Sequence, residues 1–170
     1  NLGLLAPGAS VTVTYVFKAT AVGSLQFSAS ASSSGYASAP VNSNTVQVQG
    51  AAKLHVVSAV MEPATASFGQ TFRMVVTVSN SGAATALSVT AQLGSRGGTV
   101  SPSIVTTPGL ETLTSTASAS FTFTGVINAA DSCANDKLGY VYYNPNATGR
   151  DSNSSLTVTS AAFESTHLDV

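Results

Sequence analysis

Phe68-Gly69-Gln70-Thr71-Phe72-Arg73-Met74-Val75-Val76-Thr77-Val78-Ser79-Asn80-Ser81-Gly82 is the stretch that decides the fold class. Phe72, Met74, Val76 and Val78 share one parity, while Arg73, Val75, Thr77 and Ser79 take the other. Alternation with a period of two is the pattern of a half-buried strand, because successive side chains leave a strand on opposite faces. Asn80-Ser81-Gly82 then ends the strand in a turn, where Asn and Gly tolerate backbone angles that other residues resist.

The same pattern extends outward. Leu54 to Met61 is apolar on both faces in places and closes at Pro63. Downstream, Leu87, Val89, Ala91 and Leu93 form an inner stripe, and Gly94 to Gly98 reads as a loop. Pro102 and Pro108 restrict 100–113 to short or edge strands. Ala119, Phe121 and Phe123 make a clean strand. Leu138, Tyr140 and Tyr142 make another that ends at Asn144-Pro145, and Leu156 with Val158 closes the series. About seven strands with turns between them, and no convincing helical period, predict an all-β fold, an antiparallel immunoglobulin-like β-sandwich. Phe72, Met74, Val76, Leu87, Val89, Phe121, Phe123, Leu138 and Tyr140 are its expected core. With no Trp and one Cys, that core rests on Phe, Tyr, Leu and Val rather than on a Cys–Trp–Cys pin.

The chain also resembles itself. Val13, Tyr15 and Phe17 match Ala119, Phe121 and Phe123 (119 − 13 = 106). Leu25 and Phe27 match Leu138 and Tyr140 (138 − 25 = 113), and Val46 and Val48 match Leu156 and Val158 (156 − 46 = 110). Leu54-His55-Val56 is echoed by Leu168-Asp169-Val170 (168 − 54 = 114). Length changes fall between the blocks, as expected if the blocks are strands and the gaps are loops. The expected organisation is therefore residues 1–50 as the C-terminal half of one sandwich and 51–161 as a complete copy. Residues 162–170 are expected to be a linker and the start of a further repeat, or a donor strand.

Phe68-Gly69-Gln70-Thr71-Phe72 followed by Val76-Thr77-Val78-Ser79-Asn80-Ser81-Gly82-Ala83-Ala84 resembles the opening of the tandem immunoglobulin-like repeats of prokaryotic surface proteins, including CARDB-type and "conserved repeat" domains. Leu5-Ala6-Pro7-Gly8-Ala9-Ser10-Val11-Thr12-Val13 is similar to the leucine, turn, glycine, strand element of their second half. Leu113-Thr114-Ser115-Thr116 departs from it by lacking the Pro-Gly corner, which leaves the turn there in question. The resemblance implies extracellular display, adhesion or spacing, with no catalytic residues to carry over.

Composition points the same way. Charged residues make up 8% of the 170 residues and the net charge is −1, against roughly 25% charged residues in ordinary soluble domains. The surface must then be mostly Ser, Thr, Asn, Gln and Ala, as in secreted and cell-surface proteins. No basic run exists to release counterions from nucleic acid, and no apolar stretch reaches the roughly 18–20 residues that span a bilayer. The lone Cys133 reads as a free thiol, or as an intermolecular partner.

Few side chains suggest chemistry. His55 and His167 read as strand-end residues, and no Gly-x-Ser-x-Gly elbow occurs. No enzyme is expected, and no cofactor beyond calcium. Asp131, Asn135 and Asp136 are the best metal candidates, offering three of the six to eight oxygens that Ca²⁺ takes, with Asp151 and loop carbonyls adding more. The alternative there is a solvated loop. Asn146 and Asn153 begin N-glycosylation sequons in expected loops. Of Tyr140, Tyr142 and Tyr143, alternation turns the first two inward and leaves Tyr143 as the exposed candidate for stacking on a sugar.

The expected function is a structural or adhesive module of a tandem-repeat cell-surface or extracellular filament protein. Its partners would be neighbouring repeats or subunits, or surface glycans. One alternative is a carbohydrate-binding module. Another is a filament subunit completed by a neighbour's strands.

Overall fold

The structure is a computed structural model that describes residues 3–98, 100, 102–128 and 139–170. It divides into two units, Asn1–Val48 and Gln49–Val170. The described residues are strands, turns and extended chain, without helix.

The second unit is an antiparallel β-sandwich. One sheet holds β10 (Ser103–Thr106), β12 (Ser118–Val126), β8 (Thr71–Asn80) and β7 (Leu54–Glu62), in that spatial order. The other holds β11 (Glu111–Leu113), β9 (Ala86–Gly98), β13 (Tyr140–Asp151) and β14 (Thr157–Thr159), and β15 (Leu168–Asp169) pairs further along β13. Phe72, Met74, Val76 and Val78 of β8 meet Phe121 and Phe123 of β12 in the core, as their alternation dictates. Val89 and Ala91 of β9 and Val141, Tyr143 and Ala147 of β13 supply the opposite wall.

Bulges account for the places where simple alternation fails. A register shift between Val56 and Ser58 lets β7 turn Leu54 and Val56, then Ala59 and Met61, inward. Ser88, at φ 51°, is an extra residue opposite the Thr148–Arg150 step, so Leu87 turns outward at 39% exposure and not into the expected core. Gly94 to Gly98 is not a loop but the end of β9. Ser95 and Gly94 both face Asn144, and this bulge leaves room for Pro145 inside a twelve-residue β13.

The expected parity of β13 is wrong by one. Tyr140 is outward at 40% exposure and Tyr143 inward at 5%. A one-residue slip exchanges the two faces of a strand completely. Leu156 is likewise exposed rather than the first inner residue of a closing strand.

Residues 162–170, expected to be a linker and the start of a further repeat or a donor strand, continue along β13 within this unit. Phe163 donates to Pro145 (2.9 Å), Gly139 and Val170 exchange two hydrogen bonds (2.9 and 2.8 Å), and Leu168 is fully buried.

The first unit contains a nested hairpin. β1 (Gly23–Leu25) pairs with β6 (Val46–Val48), β2 (Ser28–Ala29) with β5 (Val41–Asn42), and β3 (Ser32–Ser33) with β4 (Tyr36–Ala37). Gly35, at φ 82°, sits in its tip. Residues 9–20 run extended without ladder pairing among the described residues. Within that run, the ring of Phe17 stacks on that of Phe27 at 4.3 Å.

Candidate functional site

Both units carry one hairpin in one register. In the first, Leu25 faces Val46, Ser32 faces Ala37 and Ser33 faces Tyr36. In the second, Val141 faces Leu168, Thr148 faces Thr159 and Gly149 faces Val158. The outgoing strand is offset by 116 throughout (141 − 25, 148 − 32, 149 − 33) and the returning strand by 122 (168 − 46, 159 − 37, 158 − 36).

Within each hairpin, two serines bridge the strands at equivalent places. Ser38 and Ser43 donate their N–H groups to the carbonyls of Ala31 and Phe27, and Ser160 and Ser165 do so to Ala147 and Tyr143, all at 2.8 Å. The N–H of each of those partners returns a bond to the serine Oγ at 2.9–3.0 Å. Each Oγ in turn donates to the carbonyl one residue on: Ala39, Asn44, Ala161 and Thr166. The hydroxyl thus takes the place of a ladder carbonyl for the N–H groups of Phe27, Ala31, Tyr143 and Ala147.

A corner recurs as well. Ala9 donates to Ala6 (3.0 Å) around Pro7-Gly8, and Ala117 donates to Thr114 (3.1 Å) around Ser115-Thr116. Gly8 has φ 78° and Thr116 φ 65°, so the second corner forms without Pro or Gly. Its offset is 108 (114 − 6, 117 − 9). These three offsets replace the 106, 113 and 110 expected from side-chain type alone. Leu168-Asp169-Val170 is in turn the counterpart of Val46-Gln47-Val48, not of Leu54-His55-Val56.

The outer face of β13 presents the most distinctive surface group. Tyr140 and Tyr142 lie with ring planes 6° apart and centroids 6.3 Å apart. His167 stacks against both, at 5.4 and 5.0 Å. Tyr142 reclines over Gly97 on the neighbouring strand: a Cβ there would sit 2.1 Å from its Cζ. Polar groups flank the rings. Asn144 Nδ2 donates to Ser95 Oγ (3.1 Å), and Glu164 Oε1 lies 3.8 Å from His167 Nε2. Planar rings beside amide, hydroxyl and carboxylate groups can stack on the apolar face of a sugar and bond its hydroxyls.

The other candidates are dispersed. Tyr143, the expected sugar-stacking residue, is buried in the core and cannot serve. Asn146 lies within β13 opposite Gln92, not in a loop, while Asn153 occupies an exposed turn. His55 lies in β7 and His167 just ahead of β15, two strands of different sheets of the same unit. Asp131, Asn135, Asp136 and Cys133 lie outside the described residues, as does Leu138. No group of three or more metal-ligating side chains occurs among the described residues.

Asp151 is structural. It accepts from Ala52 N–H (2.6 Å), Asn153 N–H (2.9 Å) and both the N–H and Oγ of Ser154 (2.7 and 3.0 Å). These bonds, that from Ala52 first, hold its carboxyl below the ordinary carboxylate range against the opposing effect of burial.

No protein-family model matches the chain, and comparison with curated proteins finds no relative.

Proposed function

We propose that the chain is a structural, adhesive module of a tandem-repeat extracellular or cell-surface protein, built from immunoglobulin-like sandwiches that act as spacer or scaffold. The observation that carries this reading is the serine-bridged hairpin present twice in one register. Two independent hairpins have no physical reason to share strand pairing, two serine bridges and a preceding corner unless they are copies of one unit. A charged fraction of 8% accords with an uncharged, hydroxyl- and amide-rich exterior. The test is electron microscopy of the native material. Rows of beads of one sandwich each are expected, and isolated compact particles would overturn the reading.

Carbohydrate binding is a second reading, supported by the Tyr140–Tyr142–His167 cluster on the outer face of β13. Affinity electrophoresis against a polysaccharide panel tests it. Retardation that Tyr142→Ala abolishes is expected of a binder, and unretarded migration on every polysaccharide is expected of a pure spacer.

A further inference from the structure

The two units share positions that are buried in one and open in the other. The inner residues of β12 are Ala119, Phe121, Phe123 and Gly125, and both Phe rings are buried. Shifted by the corner's offset of 108, they become Val11, Val13, Tyr15 and Phe17, exposed at 50, 42, 74 and 61%. Val141, fully buried, becomes Leu25, which is exposed. Val11, Val13 and Tyr15 line a groove between the extended run and the hairpin, with Ala29 and Ala31 on its far wall, and Phe17 and Leu25 line a second groove of the same unit. An apolar groove bordered by unpaired backbone is a surface that folded chains cover.

The second unit shows what covers it. β8 pairs with β12 from Ser118↔Ser79 to Val126↔Thr71, β9 pairs along β13, and β7 lies beyond β8. The first unit has counterparts of the corner, of β12 and of the β13 hairpin, but none of β7, β8, β9 or β10 among its described residues. A single donated strand would satisfy the run 9–17 and leave the outer edge of the hairpin open. A second copy of the chain has its own β7 to β10 engaged.

We propose that the groove of the first unit is the seat of a four-strand segment of the same protein, equivalent to β7–β10, with a small residue at the place of Phe72. This rests on the repeat reading above. The size condition comes from Gly125. A Cβ on it would lie 2.5 Å from the ring of Phe72, its partner across the ladder. The counterpart of Gly125 is Phe17, whose ring already occupies the inner space against Phe27. Glycine with phenylalanine in one copy becomes phenylalanine with a small residue in the other, which keeps the packed volume constant.

The experiment joins a copy of residues 51–108 ahead of Asn1 of the full chain, in two versions. One keeps the phenylalanine copied from Phe72, and the other carries Phe72→Ala in the copied segment only. Hydrogen exchange read by mass spectrometry should slow at residues 11–17 by at least about tenfold relative to the unextended chain, and more in the alanine version. No slowing in either version, or full protection in the unextended monomer, overturns the seat. Greater slowing in the phenylalanine version overturns the small-residue condition. Because exchange reports docking alone, a bead-row failure in microscopy would sink the spacer reading without touching this result.

Discussion

The carboxylate of Asp151 accepts a 2.6 Å hydrogen bond from the backbone N–H of Ala52, a residue 99 positions earlier in the chain. This bond ties the entrance of the sandwich to the last residue of its longest inner strand pair. The Asp151 carboxyl is held low, so its folded-state pKa lies below the unfolded value of about 3.9. Its stabilisation is therefore complete above that value and is lost as pH falls below it through the folded pKa. Asp151→Asn, which turns an N–H donor toward donors, should cost about 2–3 kcal/mol at neutral pH. It should also flatten the stability profile below about pH 4. Urea unfolding across pH, followed by circular dichroism because the chain has no Trp, measures both. An unchanged acid limb would remove Asp151 as its cause.

Thr116 holds φ 65° where the first unit has Gly8 at 78°. A left-handed conformation costs a side-chain-bearing residue roughly 1–2 kcal/mol, and glycine's greater unfolded-state entropy returns part of that. Thr116→Gly should therefore raise stability by about 0.5–1 kcal/mol. Lower thermal stability in the variant would contradict this account of the corner.

Ser160 and Ser165 are buried, whereas Ser38 is exposed and Ser43 half-buried. Removing a hydroxyl orphans a backbone N–H in every case, but the second unit's are buried while water reaches the first unit's. Ser160→Ala and Ser165→Ala should each cost about 1–3 kcal/mol, and Ser38→Ala and Ser43→Ala clearly less. Denaturant midpoints compare the four, and equal losses in the two units would refute the reasoning.

Gly97 and Tyr142 should be coupled. Alanine is ordinarily better than glycine within a strand, yet Gly97→Ala drives a methyl into the ring of Tyr142. It is expected to destabilise the native protein by about 1 kcal/mol and to be neutral or stabilising beside Tyr142→Ala. A double-mutant cycle reads the coupling, and additivity of the two substitutions would show that the ring does not lie over Gly97.

The β-sandwich was legible because β8 and β12 alternate without interruption, so Phe72 to Val78 and Phe121 with Phe123 fall inward as read. β13 was not, because Tyr140, Val141, Tyr142 and Tyr143 are apolar on both faces and give no parity. The polar residues Asn144, Asn146, Thr148 and Arg150 carry it, and they mark the even face as outer. Leu87 was lost to the bulge at Ser88, which hydropathy does not reveal. The serine bridges do leave a trace in sequence, Ser38-Ala39 with Ser43 and Ser160-Ala161 with Ser165. Alignment by apolar type alone passes over them, because a serine in so Ser-rich a chain looks like loop.

The chain enters the sandwich at Ala52, beside Asp151, and reaches Val170 beside Gly139, at the other end of β13. Twelve residues of strand separate those ends, about 40 Å at roughly 3.3 Å per residue. Near the exit, Thr166 donates to Ala59, Asp169 donates to Ala64, and Thr65 bridges Asp169 in parallel. Pulled by its two ends, the unit would load these bonds between its first and last strands sideways and together, rather than opening them in sequence like a zip. Under such a pull, the strip from Ala59 to Thr65, where residues 166–169 hold the entry strand, would resist in shear.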